Sequence, residues 1–487
     1  MPAQTRTRIL ATLGPACSSL AQIRLAVQAG ANAFRLNMSH GDEATRTRWI
    51  RHIKRVRREL NRPVAILVDL RGPRIRLGKI EDKRELVPGE EIEVRASAKE
   101  ARGKYLPIDY RRLLQDVEVG NRILIRDGRM ELVVLEKDKR SMKCKVRKGG
   151  MIVSSQGVNL PDSEVSAPAL SAKDRADIAF AVEHEADWLA LSFVRSATDL
   201  NAVRRELKKY DLALPLIAKI EHPLGIRNID EIIASANGIM VARGDLAVEM
   251  GLAKVPMLQK RIVAAAIKRA IPVIVATQML ESMIDEALPT RAEVSDVANA
   301  VLDGADCMML SGETAVGKYP LETIRVMRRI AQTTEEGQFD GRWRLRPALR
   351  PDGGLGEGSA EMAIVNAAVY AAHFGKAKLM LAFTESGRSA RLVSSFRSAL
   401  PLVVLTSSER AFHRMALFWG ARAGRIPKVR RIREMNRLAS EFLEKRRLLS
   451  AEDKLVALTG TFAVSGATNT IRIIKFSQLA ETSSKKS

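Results

Sequence analysis

A chain of 487 residues is too long for one ordinary core and sets an expectation of roughly two to four domains. Its apolar content of 46% fits a folded protein, no run reaches the length of a membrane span, and Cys17, Cys144 and Cys307 are too scattered for a disulfide framework or a thiolate metal site, as expected in a reducing, cytoplasmic setting. The net charge of +24 would suit a nucleic-acid binder, but aromatics make up only 4%, too few for base-stacking platforms, so neither a dedicated nucleic-acid partner nor a membrane is expected.

In chain order, RTRILATLG (6–14) reads as a core strand ending in a turn, and no cleavable leader is expected. Further strand candidates follow at 33–37, 64–70, 188–194, 214–221, 238–242, 272–277 and 307–310, making eight with 8–13. Amphipathic text lies between them, at 20–29, 42–60, 197–210, 226–236, 255–270, 291–302 and 320–334. Within 45–63, Trp49, Ile53, Val56 and Leu60 recur at helical spacing while arginines fill the opposite face, so much of the positive charge is a solvated helix surface. Eight buried strands alternating with helices predict an α/β fold, a (β/α)₈ TIM barrel, whose site forms at the C-terminal ends of the strands. Those ends carry Arg35, Asn37, Ser39, Asp69, Lys219, Glu221, Asp245, Thr277 and Glu313.

One connection is far too long for a loop: about a hundred residues separate the third strand from the next helix. Their period-two alternation, as in NRILIRDGRMELVVLEKD, predicts a small all-β domain inserted at the barrel mouth, placed to act as a lid. The Gly/Pro-rich stretch RPALRPDGGLGEGSA reads as a linker. Beyond it, helices at 360–373, 411–419 and 429–445 and strands at 377–383, 401–405, 454–459 and 470–476 predict a C-terminal α/β domain. The expected division is barrel at 1–71 and 167–345, lid at 72–166, C-terminal regulatory and interface domain at 346–480, and a disordered tail at 481–487.

Chemistry concentrates in IAKIEHPLG (217–225) and IMVARGDLAVEMG (239–251). Each apolar run ends in a carboxylate, Glu221 and Asp245, with Lys219 beside the first. Mg²⁺ takes few protein carboxylates and completes its shell with water and substrate oxygens. A nearby lysine can stabilise a phosphoryl group in flight. Taken alone, Lys219 and Glu221 read equally well as a structural ion pair. GETAVGKY (312–319) imitates a phosphate-binding loop but has tyrosine where a metal-holding hydroxyl is required, which excludes it. Asp296, Asp303 and Asp306 are expected to cap helices or turns, and His40 to order its loop.

The ordered blocks RTRILATLGPAC, FRLNMSHG, LVDLRGPRIRLG, GVNLP, LSFVR, AKIE, MVARGDLAVE, ATQMLESM, PTRAEVSDVANAVLDGADCMMLSGETAVGKYP and TESGRSA resemble the pyruvate kinase family from about Thr5 to Phe476. The resemblance implies the barrel, lid and C-terminal domain, and transfer of the phosphoryl group of phosphoenolpyruvate to ADP. It implies Arg35 as the substrate-phosphate contact and Lys219 as the stabiliser of the transferring group and enolate. Glu221 and Asp245 would be the Mg²⁺ (or Mn²⁺) ligands, with the backbone of Arg243, Gly244 and Asp245 cradling the substrate carboxylate. Thr277 would lie on the carboxylate and proton-delivery side, and Arg76 and Lys173 would contact nucleotide phosphates. Asn37, Ser39, Asp69 and the carbonyl of Leu70 would be the monovalent-cation ligands, and the family's usual assembly is a homotetramer.

The chain departs from the family pattern in places. DLRGPRIRLG (69–78) stands where DTKGPEIRTG is usual, so Leu70, Arg71, Arg74 and Leu77 replace threonine, lysine, glutamate and threonine. The glutamate marks K⁺-requiring members, so Arg74 implies activity without K⁺, its guanidinium supplying the charge. His222 replaces an asparagine, and Gln156 a lysine of the lid. Thr384, Ser386, Gly387, Arg388 and Ser389 form a loop opening a helix, which suits the phosphate of a sugar-phosphate effector. Two rival readings stay open at this stage: a Mg²⁺-dependent carbon–carbon lyase acting through a pyruvate enolate, and a non-enzymatic basic nucleic-acid-binding protein on a degenerate kinase fold.

Overall fold

The computed structural model describes residues 5–81, 83–96, 105–339, 359–429, 431–460 and 468–481. The expected boundary at 345/346, the linker up to 358 and the tail beyond Glu481 lie outside the described residues.

Eight parallel strands close into a barrel: β1 (Arg8–Thr12), β2 (Ala33–Asn37), β3 (Ala65–Asp69), β4 (Trp188–Leu191), β5 (Leu216–Ile220), β6 (Gly238–Ala242), β7 (Val273–Ala276) and β8 (Cys307–Leu310). Chain order is spatial order, and β8 returns to pair with β1. The strands are short apolar runs because they are buried on both faces, inward against one another and outward against helices. Most strands are shorter than the apolar runs that signalled them. The run 188–194 pairs only over Trp188–Leu191, since Phe193 turns the chain at φ 54°. Helix starts are fixed by reciprocal caps, Ser19 with Gln22, Ser171 with Asp174 and Thr290 with Glu293.

The insertion is a separate β unit with its own apolar core, built on a seven-stranded sheet. Its strand Gly157–Asn159 pairs with both Ile75–Arg76 and Arg122–Ile125, so the chain entering and leaving the lid is stitched together at its base. The C-terminal domain has a five-stranded sheet, four strands parallel and the last, Thr468–Lys475, antiparallel.

Three elements differ from expectation. Arg243–Met250 is a helix, where only a strand end was anticipated. The helix expected at 226–236 is broken into Pro223–Arg227 and Ile229–Ser235 around Asn228. The strand Ala421–Arg425 escaped notice because ARAGR, on the sheet edge, has no apolar alternation.

The C-terminal domain closes the N-terminal end of the barrel. Leu10, Leu67, Trp188 and Ile274 of the barrel share one apolar cluster with Met380, Met415 and Phe418. Asp306 is not a turn cap: both its carboxylate oxygens receive Arg397 of the C-terminal domain at 2.8 Å, and Oδ2 also accepts from Val273 N. Asp296 instead pairs with Arg243, and Asp303 with Lys260.

Candidate active site

At the opposite end of the barrel, β2, β3, β5 and β6 bring the charged strand ends together. Asn37 and Asp69 are register partners on adjacent strands. Arg35 Nε donates to Asp69 Oδ2 at 2.6 Å, and its Nη1 reaches Thr12 Oγ1 at 3.3 Å. Lys219, buried on β5, lies 3.3 Å from Asp69 Oδ1 and 3.1 Å from Glu221 Oε1. Its Nζ donates to Ser192 Oγ at 2.7 Å, and Ser192 in turn donates to the Leu70 carbonyl at 2.8 Å.

This is a buried lattice of alternating charge. Burial alone would push the Asp69 carboxyl up, but Lys219 and Arg35 outweigh it and hold the group below the usual carboxylate range. Lys219 is raised, since Asp69 and Glu221 overcome the desolvation that would lower it. Glu221 is the exception: burial raises it and Asp245 adds to the effect, more than Lys219 and the Phe193 amide offset.

Glu221 Oε2 accepts from Phe193 N at 2.8 Å, while Oε1 is buried and accepts no hydrogen bond. A buried, proton-avid oxygen with a spare lone pair, near Asp245 on the first turn of the next helix, suits a hard cation. Among the described residues no cluster of three or more His, Cys, Asp or Glu could form a complete cage. Two carboxylates with the remaining positions left to water and substrate are what Mg²⁺ accepts, and an all-oxygen set also suits Mn²⁺.

The loop after β7 carries Thr277 at φ 72°, in the left-handed region that β-branched residues avoid. Arg243 holds it there: the guanidinium donates to the Thr277 and Gln278 carbonyls at 2.7 and 3.1 Å and pairs with Asp296. The side chain of Arg243 is thus spent on the loop. Gly244 N donates to Thr277 Oγ1 at 2.8 Å, and that hydroxyl donates to the Ala276 carbonyl at 2.5 Å. Glu313 is spent as well, accepting from the Leu280 and Ser311 amides.

Between lid and barrel opens a cleft bordered by Arg74, Asp127, Asn159, Phe193, Asp245 and Glu249 among others. Arg76, at the lid base, donates to the Ser155 carbonyl at 2.6 Å, while its buried Nε has no partner. Desolvation and the neighbouring Arg71 and Arg74 lower its basicity, the mark of a guanidinium cluster short of anions. Lys173 does not join the cluster: it is tied to Asp177 one turn along its own helix, at 2.7 Å. Asn37 accepts from Ser39 N at 3.1 Å, and the Leu70 side chain is buried. In the C-terminal domain, Gly387 N donates to Thr384 Oγ1 and Arg388 N to Ser386 Oγ, while the Arg388 side chain pairs with Glu361 and Ser389 meets Thr468.

Ser192, Thr12, Asn159 and Glu249 were not singled out from the sequence. Ser192 had a usable signal, a hydroxyl just past the end of β4 inside LSFVR. The other three reveal themselves only through contacts across long sequence separations.

Comparison with known proteins matches residues 4–324 to the family model "Pyruvate kinase, barrel domain" and residues 362–474 to "Pyruvate kinase, alpha/beta domain". Pyruvate kinase 2 of Synechocystis sp. is 37% identical over 478 residues, covering 97% of this chain and 79% of that protein. Pyruvate kinase of Agrobacterium vitis is 39% identical over 471 residues, covering 96% and 98%. The crystal structure of a pyruvate kinase from Cryptosporidium parvum superimposes with a TM-score of 0.91 at 31% identity, covering 97% of this chain and 96% of that one.

Proposed function

Since the chain belongs to the pyruvate kinase family, we propose that the buried cluster at its barrel mouth is where the phosphoryl group of phosphoenolpyruvate passes to ADP, giving pyruvate and ATP. The observation that carries this reading is the position of Lys219 Nζ, within 3.4 Å of Asp69, Glu221 and Ser192 together. Full-length kinship leaves the lyase and nucleic-acid readings without support.

Phosphoryl transfer needs positioning and neutralisation of charge more than covalent chemistry. Arg35, oriented by Asp69 and Thr12, grips the substrate phosphate. Lys219 stabilises the transferring group and the enolate it leaves behind. The Asp245 amide, at a helix N-terminus, receives the substrate carboxylate, and the Gly244 amide joins it on leaving Thr277 Oγ1. Glu221 and Asp245 would hold Mg²⁺ (or Mn²⁺), which when bound neutralises phosphate and enolate charge. Thr277, whose hydroxyl donates to the Ala276 carbonyl, passes a proton to carbon through ordered water once that hydroxyl is released. Arg76 meets the nucleotide phosphates, and Lys173 joins it only after leaving Asp177.

Asn37, Ser39, Asp69 and the Leu70 carbonyl are the monovalent-cation set, and Arg74 makes K⁺ dispensable. The loop Thr384, Ser386, Gly387, Arg388 and Ser389 takes the phosphate of a sugar-phosphate effector. A cytoplasmic homotetramer completes the reading; among the described residues no helix is long and apolar enough to cross a membrane.

The test is pyruvate formation from phosphoenolpyruvate, ADP and Mg²⁺, coupled to lactate dehydrogenase, with K⁺ present or replaced by a bulky ammonium salt. Turnover in both arms is expected. Turnover only with K⁺ would remove the role given to Arg74, and none in either arm would remove the site.

A further inference from the structure

We propose that Asn159 of the lid and Glu249 of the barrel form a latch that sets the spacing between the nucleotide side and the metal side of the cleft, an inference that rests on the roles given above to Arg76 and Asp245. Asn159 Nδ2 donates to Glu249 Oε1 at 2.7 Å across 90 residues of sequence. Glu249 is buried, and Asn159 half-buried.

Each end of this bond is rigidly joined to one half of the site. Asn159 ends the strand Gly157–Asn159, whose Gly157 and Val158 pair with Arg76 and Ile75. Any displacement of Asn159 therefore moves the backbone of Arg76. Glu249 lies one helical turn beyond Asp245, on the same helix Arg243–Met250. A single hydrogen bond thus spans the cleft between the guanidinium assigned to nucleotide phosphate and the carboxylate assigned to the metal.

A second contact lands on the same helix. Gly128, on a lid turn at φ 78°, stands so close that a Cβ there would meet Val248 Cγ1 at 3.6 Å. The lid thus bonds the helix at Glu249 and approaches it at Val248. Where the chain enters the lid, Gly72 adopts φ 70° and packs against Ser192, its N–H donating to Asp174 Oδ1 at 3.1 Å, which anchors the lid to the barrel. Burying the Glu249 carboxylate is unfavourable unless it is hydrogen-bonded, and Asn159 supplies the bond to Oε1 while Oε2 stays buried without a partner. Glu249 is accordingly a positioning residue, acting on substrate through the lid.

The test uses the full-length protein. Asn159→Asp sets carboxylate against carboxylate, and the double variant Asn159→Asp with Glu249→Gln restores a bond with donor and acceptor exchanged. Hydrogen–deuterium exchange of peptides spanning 157–160 and 243–250 reads the latch without turnover, and steady-state kinetics read its consequence. Expected for Asn159→Asp are faster exchange in both peptides and a KM for ADP raised about tenfold, with kcat much less changed. The double variant is expected to recover most of both. Unchanged exchange in Asn159→Asp, or a double variant no better than the single, would overturn the latch. A wild-type chain that made no pyruvate would overturn the site assignment instead, because the exchange readout judges the latch independently.

Discussion

Arg35 and Asp69, on neighbouring barrel strands, are joined by a 2.6 Å bond from Nε to Oδ2, leaving Asp69 also within reach of Lys219. The arginine assigned to substrate phosphate is therefore held by a carboxylate that shares its charge with Lys219, the lysine assigned to the transferring group. Arg35→Lys keeps the charge but loses the planar fork that reaches Asp69 and Thr12 at once. We expect kcat/KM for phosphoenolpyruvate to fall about 100-fold, with little change in KM for ADP. Equal losses for both substrates would contradict the assignment.

Lys219→Met removes the cation that balances two buried acids. The expected loss is about 1000-fold in kcat, with KM for phosphoenolpyruvate within a few-fold of wild type. A loss below tenfold in the folded variant would reduce Lys219 to a structural partner.

Glu221 is held above the ordinary carboxylate range, first by burial and then by Asp245, with Lys219 opposing. Protons and Mg²⁺ should compete for it, so Mg²⁺ affinity is expected to rise with pH and binding to release protons. Calorimetry in two buffers of different ionisation heat measures that release, and Glu221→Gln should abolish most of it. Proton release equal in wild type and variant would place the metal elsewhere.

Burial pushes Glu249 up to about 7 from 4.5, with Asp245 adding to the shift and Asn159 opposing it. The folded state then binds more protons than the unfolded state between those values, so stability falls as pH rises through that window. The ionised group should cost up to roughly 3 kcal/mol at pH about 8. Glu249→Gln keeps the acceptor for Asn159 and removes the charge. Its denaturation midpoint should exceed that of wild type at pH about 8 and converge with it near pH 4. Parallel curves would exclude Glu249 as the titrating group.

Arg397 and Asp306 form a doubly bonded, buried pair between the C-terminal domain and the barrel. Removing one partner leaves a buried charge alone, so Arg397→Ala should destabilise by about 3–5 kcal/mol in urea unfolding. A change below about 1 kcal/mol would mean that water replaces the pair.

The barrel, the inserted lid and the C-terminal domain were legible in the sequence because each has its own hydrophobic period. Continuous apolar runs mark strands buried on two faces, alternation marks the lid, and polar residues just past the runs mark the mouth, which is how Lys219, Glu221, Asp69 and Thr277 could be named in advance. The helix holding Asp245 was not legible: VARGDLAVE follows a strand without a pause, and its first turn is fixed by Arg243 reaching a loop 34 residues away.

Local pattern thus determined which elements form and which charged side chains end up at their tips, since burial imposes a period on any chain that folds. Only the tertiary structure decided how those charges pair. Asp306 is tied to Arg397, Arg243 to the Thr277 loop and Asn159 to Glu249. Such pairings follow from distance in space and from desolvation at the place where two distant segments meet, and neither quantity is carried by spacing along the chain.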